Sequence, residues 1–282
     1  MAYTYCNIDT KTVSGDISVL FPDWGTDEVV LVSSPHDDDA ILGAGYAMQA
    51  AQAAGAEVWV MIFCRGDAGY STMEEKPDIE ARRVRETDEC YARLGVPADH
   101  IVRLGFPDFS AMGYWDWRKA DGQFGDMPRV LRFLREKRVT RVLIPNHYHE
   151  HIDHLAAHWM TGFDVPQAGD AALVDIGEPF PVRSTLEYSV WADLDPEDAL
   201  TRGRPTGLRA NRILLAGEDA EQAVIRAVSA YSSQEKIIED LVRSRSGRKA
   251  AGNRYMEVYI AFDCRPKIDM KPYAAWVAEN VR

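Results

Sequence analysis

The sequence contains no apolar run approaching the roughly 18 residues that cross a bilayer, so no membrane-spanning helix is expected. Its first residues, MAYTYCNIDTKTVSGDIS, lack the basic start and apolar stretch of a secretory signal, which points to a cytoplasmic protein. Cysteine is scarce and scattered: Cys6, Cys64, Cys90 and Cys264 form no CxxC. They read as reduced thiols, not as a disulfide frame or a zinc knuckle. Basic residues are in deficit, 32 Lys+Arg against 44 Asp+Glu for a net charge of −12, which argues against binding a phosphate backbone. G-x-G-x-x-G and P-loop motifs are both missing, and Gly43-Ala-Gly45 falls inside a predicted helix instead of a strand-to-helix turn. Without a linker rich in Pro, Gly or Ser, and without an internal repeat, the chain is expected to form a single domain over 1–282.

What is present is an ordinary globular balance, 46% hydrophobic and 27% charged. Short apolar runs at 28–34, 57–64, 100–104 and 140–145 read as buried strands. Between them, 39–54, 78–94 and 124–137 read as helices, two of them stopped by Gly55 and Gly95. This β-α-β-α-β order predicts a Rossmann-like α/β fold, a mostly parallel sheet flanked by helices on both faces. A helix at 151–163, strands at 184–192 and 212–216, a helical hairpin at 219–246 and a strand at 253–263 follow. The later strands extend the sheet or form a small antiparallel layer.

Ligands of open parallel sheets bind beyond the carboxyl ends of the strands, and the chemically distinctive residues fall there. Loops 33–39, 65–69, 105–108 and 146–154 each follow a predicted strand. Five of the seven histidines lie between 147 and 158 (His147, His149, His151, His154, His158), and His36 sits in Pro35-His36-Asp37-Asp38-Asp39. A catalytic zinc wants about three protein ligands and an open position. One His and one carboxylate from the first loop with one His from the fourth would supply them, and a further acidic residue could act as general base.

Pro35-His36-Asp37-Asp38-Asp39 resembles the His-Pro-Asp-Asp signature of the PIG-L/LmbE family of zinc-dependent N-acetylglucosaminyl deacetylases. His151-Ile152-Asp153-His154 is similar to that family's His-Pro-Asp-His. Phe63–Asp67 resembles its loop after the second strand, Arg83-Val-Arg-Glu86 followed by Leu94-Gly-Val96 its Arg-x-x-Glu helix, Leu104–Asp108 the loop carrying a substrate-binding aspartate, and Ala230–Gln234 its Tyr/His-x-Ser-Gln motif. The likeness runs over a core of about 28–260. Proline is replaced by Asp37 and Ile152, and Ala40 stands where a glutamate is usual. The extra carboxylate of Asp37 leaves open which aspartate binds metal; the family pattern makes Asp38 the base and Asp39 the ligand.

The resemblance implies a Zn²⁺ (or iron(II)) ion held by His36, Asp39 and His154, with Asp38 taking a proton from a water whose pKa the metal lowers toward about 7. It further implies a carbonyl oxyanion stabilised by the metal and by His151 as an imidazolium paired with Asp153. The leaving amine is protonated by Asp38 or His151. Arg83 and Asp108 match positions that hold sugar hydroxyls or phosphate; read as residues alone, the competing readings are a helix surface charge and a turn residue after Pro107. Tyr114-Trp-Asp-Trp117 is a candidate wall for a sugar ring or an oligomer contact. Ser233 and Gln234 read as braces of a helix, and Glu257 as a solvated strand residue or a partner of the ligands. The expected activity is removal of an N-acyl group, acetyl first, from a small amino sugar or its conjugate by a protein able to form a homo-oligomer. The competing readings are an amidase for a non-sugar amide or thiol conjugate and a non-catalytic metal-binding Rossmann-like protein.

Overall fold

A computed structural model describes residues 3–147, 150–191 and 210–281. Ten strands form one sheet: β1 (Thr4–Asn7), β2 (Thr12–Ser14), β3 (Val29–Ser34), β4 (Glu57–Cys64), β5 (Ile101–Phe106), β6 (Arg141–Pro145), β7 (Ser184–Tyr188), β8 (Arg212–Ala216), β9 (Lys249–Ala250) and β10 (Arg254–Phe262). Their order is β2-β1-β8-β10-β7-β6-β3-β4-β5, with β9 beside β10. The five strands from β7 to β5 are mutually parallel, and the others pair antiparallel. The fold is therefore the expected one, with the C-terminal strands extending the same sheet. Strand β7 ends at Tyr188, short of the expected 192, a position outside the described residues.

Among the described residues there are seven α-helices, α1 (Asp39–Ala53), α2 (Ile79–Arg93), α3 (Pro128–Glu136), α4 (Ile152–Ala168), α5 (Glu218–Val228), α6 (Glu235–Ser244) and α7 (Lys271–Asn280), of which α1 to α5 pack around the sheet. Alternation along the strands sorts the core into two layers. Val30 and Val32 of β3 face α1, α2 and α5, whereas Leu31 faces α3 and α4. Helix α3 starts later than expected because Pro128 stands at its first turn, where a missing N–H costs nothing. At the amino ends of β3 and β6, fully buried Arg141 binds both oxygens of Glu28 at 2.9 Å.

Gly43 and Gly45 lie inside α1, as the sequence suggests. A Cβ on Gly43 would run into the Tyr188 ring, and one on Gly45 into Val224. The helix departs from helical geometry at Ala44. Glu257 repairs the break, accepting the Tyr46 and Ala47 backbone amides at 2.9 and 3.2 Å. Glu257 is thus buried, not solvated, and lies away from the proposed ligands.

The strand order positions the chemistry. From β3 the chain moves outward to β4 and β5, then returns so that β6 lands on the other side of β3. The crevice between the carboxyl ends of β3 and β6 is a topological switch point. It brings residues 35–38 beside residues 146–147 and 150–151, more than a hundred positions away.

Candidate active site

Each loop at the switch point runs directly into a helix. Asp38 occupies the cap position of α1 and Asp39 its first residue, where the positive end of the helix dipole favours carboxylates. His151 caps α4, its Nδ1 accepting the Asp153 backbone N–H at 3.1 Å. His154 then lies one turn inside. The His-x-x-His spacing thus puts a capping ring and a first-turn ring on the same end of one helix.

The carboxylate of Asp39 lies between two imidazoles. Its Oδ2 is 3.0 Å from His36 Nδ1 and 3.1 Å from His154 Nε2. A tetrahedral zinc site with bonds near 2.0–2.1 Å would place its donors about 3.3 Å apart. His154 is 1% exposed, yet Nε2 makes no hydrogen bond of acceptable geometry. Its other nitrogen, Nδ1, donates to Glu150 Oε2 at 2.9 Å. His36 shows the same arrangement, with Nε2 donating to Asp153 Oδ2 at 3.2 Å. An imidazole held by a carboxylate on one nitrogen, with the other turned to a shared centre, is the usual preparation of a metal-binding histidine. These donors fit a divalent cation.

Two other groupings of donor residues use His36, one with His151 and Asp153 and one with Cys64 and Asp108. Their carboxylates are already engaged with backbone. Asp153 accepts the Phe109 and Ala111 amides at 2.6 and 3.1 Å, and Asp108 accepts those of Gly66 and Ala68, both at 2.9 Å.

Burial pushes the Asp38 carboxyl up to about 6, with Arg83 and His36 opposing and the neighbouring Asp39 and Asp37 adding to the rise. Burial also raises Asp39, but His154 and His36 outweigh it and hold Asp39 well below the usual carboxylate range. Two adjacent aspartates are therefore driven apart, one toward a base that titrates near neutrality and one toward a permanent anion.

Several expected roles are redrawn. His151 does not form an ion pair of hydrogen-bonding quality with Asp153: the gap is 3.6 Å, and the Asp153 carboxylate is committed to His36, Phe109 and Ala111. Burial and the nearby His36 lower the His151 pKa, which favours the neutral ring. Since Nδ1 accepts a hydrogen bond, Nε2 carries the N–H of the neutral ring. Arg83 is not a surface charge, being 2% exposed. It borders the cavity, with its fork engaged: Nε donates to Asp37 Oδ2 at 2.9 Å, Nη2 to Asp37 Oδ1 and Nη1 to Gln234 Oε1, and the guanidinium lies over Tyr231 at 4.6 Å. Asp37, the extra carboxylate, also lines the cavity, and its oxygens are taken up by Arg83 and Thr87. Asp108 borders the cavity while bracing the 65–69 loop. Ser233 braces helix α2 through Glu86.

Above the donors lies a cavity of about 320 Å³ bordered by Asp38, Asp39, Phe109, His151, Trp191 and Gln234 among others. Its aromatic walls are Phe109 and Trp191, which sequence reasoning missed. Tyr114–Trp117 instead packs over the α3/α4 layer, Tyr114 stacked on Phe106 and Trp117 against Phe163. Phe109 has a left-handed backbone (φ +62°) that turns its 64% exposed ring beside His151, centroids 4.8 Å apart. Such strain in a non-glycine residue concentrates at functional sites. Glu150 was also missed, although its place four residues before His154 was a readable signal for a helix-end partner. Of the remaining histidines, His149 lies outside the described residues, and His147 and His158 lie together away from this cavity.

Residues 31–161 match the profile of a family described as GlcNAc-PI de-N-acetylase, PIG-L. No curated protein sequence gives a significant match. Among solved structures, the N,N'-diacetylchitobiose deacetylase of Pyrococcus horikoshii is similar at 20% identity and TM-score 0.64, covering 88% of both chains. The conserved protein TT1542 of Thermus thermophilus is similar at 24% identity and TM-score 0.59, covering 86% of this chain and 97% of the other. GalB, the 4-carboxy-2-hydroxymuconate hydratase of Pseudomonas putida, is similar at 16% identity and TM-score 0.59, covering 87% and 98%. At these identities the likeness speaks for the fold, which therefore hosts hydrolytic and hydration chemistry alike. Residues 31–161, which carry both His/Asp signatures and the helices they open, are thus similar to the PIG-L family.

Proposed function

We propose that this protein is a metal-dependent hydrolase that removes an N-acyl group, acetyl first, from an amino sugar or its conjugate. The observation that carries this reading is the convergence of His36, Asp39 and His154 on one centre, with Asp38 beside them at the floor of an aromatic-walled cavity. Those three side chains would hold Zn²⁺, with iron(II) an equally acceptable ion for His₂-carboxylate donors. Such a cation, when bound, supplies Lewis acidity and brings a neighbouring water toward ionisation at neutral pH.

The protein's own groups do the rest. Asp38, its carboxyl near 6, accepts the proton of the attacking water. His151 offers Nε2–H to the oxygen of the acyl carbonyl as negative charge develops there. Asp153 keeps His36 in register and shapes the Phe109 turn, so its contribution is positioning. After the C–N bond breaks, Asp38 holds the proton that the departing amine requires and returns it. Phe109 and Trp191 flank the space where a sugar ring would stack, and Asp108 stands at its edge.

The test is acetate release from N-acetylglucosamine derivatives and from non-sugar acylated amines, with and without a chelator. Release from the sugar set, lost on chelation and restored by zinc, supports the proposal. Release only from the non-sugar set transfers the same chemistry to an amidase, and tight zinc without any release marks a binding protein. Asp38→Asn is expected to keep its metal while turnover falls at least about 100-fold. Wild-type turnover in that variant would remove Asp38 from the base role.

A further inference from the structure

A second cluster of metal-ligating side chains sits outside the cavity, where β6 and β7 end. His147 stands two residues beyond β6, Glu187 is the penultimate residue of β7, and His158 lies on α4 one turn beyond His154. Offered nitrogen and oxygen atoms of the three lie within 4.8 Å of one another. His147 Nδ1 is 3.0 Å from Glu187 Oε1, and the His147 and His158 rings are 4.6 Å apart.

The cluster is built, not incidental. His158 and Glu187 are 6% and 4% exposed. His158 donates Nδ1–H to the Pro145 carbonyl at 2.9 Å, which fixes the ring and makes Nε2 its lone-pair nitrogen. Glu187 receives the His147 backbone N–H as well as its ring, at 3.2 Å. Among the described residues, Glu187 has no Arg or Lys within ion-pair distance, and the side chain beside it is the His147 ring. A carboxylate so far from water needs a compensating cation. Two imidazoles and one carboxylate at this spacing suit a borderline divalent ion such as zinc.

We propose that His147, His158 and Glu187 form a second divalent-metal site, distinct from the one at His36, Asp39 and His154. Its place in the fold gives it a structural role. It ties the loop after β6 to β7 and to α4, and that same loop carries Glu150, which holds His154 Nδ1. The loop is also pinned from the other side, since Glu150 accepts the Val190 and Trp191 amides at 3.0 and 2.9 Å. An ion at the second site therefore fixes the segment that orients a histidine of the first.

The experiment uses the full-length chain, dialysed against zinc and assayed for bound metal. Wild type is expected to hold two zinc ions, and Asp39→Asn one. In the Asp39→Asn background, zinc should still raise the melting temperature, as any ligand of the native state does. Adding His147→Gln should abolish that rise and weaken the remaining zinc by at least about 100-fold, because loss of a ligand exceeds the 10- to 100-fold typical of an outer hydrogen-bond partner. His147 is the more exposed ligand, so this variant keeps its fold; His158→Gln, more deeply buried, serves as the second variant. If wild type binds one ion and both histidine variants match it in stoichiometry and zinc response, His147 and Glu187 are only an ion pair and the second site does not exist. Two ions in wild type that survive both substitutions would equally overturn it. Neither outcome depends on the hydrolase reading, because no activity is measured.

Discussion

At His154 two demands meet on one ring. Burial lowers its pKa, while Asp39 and Glu150 on opposite edges raise it to about 9. The sequence made His154 visible because histidine is rare and this one ends a signature, but Glu150 was hidden among nearby polar residues. Phe109 and Trp191 were hidden for another reason: an exposed aromatic beside a turn leaves no periodic trace, whereas Tyr114–Trp117 attracted attention by its density and turned out to be core packing. Away from the site, Asp164 on α4 is fully buried, and neither carboxyl oxygen has a hydrogen-bond partner. Burial raises its pKa well above normal. The native state thus keeps a proton that the unfolded chain loses above about pH 4, and this residue erodes stability as pH rises from there toward the native pKa. Asp164→Leu, of similar shape, is expected to stabilise the fold by about 1–3 kcal/mol at pH 7, with a smaller gain at pH 4. Urea unfolding at the two pH values checks both the sign and the trend; a destabilised variant at pH 7 would refute it.

Among the elements, strands β3, β4 and β6 were legible from apolar runs, and the helices between them from composition and glycine stops. The hairpin β1–β2 was not, because its short, largely polar strands form the sheet's edge and carry little pattern. The break in α1 was also invisible, since it depends on Glu257 arriving from a strand over two hundred residues later. Loop 35–38 and helix α2 are joined by the Asp37–Arg83 pair, both partners buried. Arg83→Met leaves Asp37 uncompensated and is expected to cost about 3–5 kcal/mol of stability. Zinc affinity at the first site should fall on the order of 10-fold or more as the loop loosens. Arg83→Lys, which restores charge without the fork, should recover only part. Urea melts and zinc competition on the three proteins decide this, and an Arg83→Met protein that melts like wild type would show that the pair does not hold the loop.

For the molecule as a body, no local pattern reveals the strand order; the rule that ligands bind beyond the carboxyl ends of parallel strands placed both histidine loops on one edge of the sheet, without naming the crevice between them. The reversal at β3 and β6 gives that rule its physical basis here. Helix α7 stands outside this scheme: residues 265–281 are exposed throughout, including Tyr273 and Trp276. Truncation after Lys267 should therefore shift the melting temperature by no more than about 2 °C, as expected when little apolar area is lost from burial. A large drop would mean that α7 is covered in solution, as by a second copy of the chain. Among the described residues no helix is long and apolar enough to cross a membrane.

The hydrolase reading stands or falls on one divalent ion shared by loops from opposite sides of the switch point. Anomalous diffraction at the zinc edge, from metal-loaded crystals soaked with glucosamine, is the sharpest check on it. The expected result is a peak within about 2.0–2.2 Å of His36 Nδ1, an Asp39 carboxylate oxygen and His154 Nε2, with an open position facing Asp38. A fully loaded crystal with no peak between His36 and His154, or with Asp38 itself closing the fourth position, would rule that arrangement out.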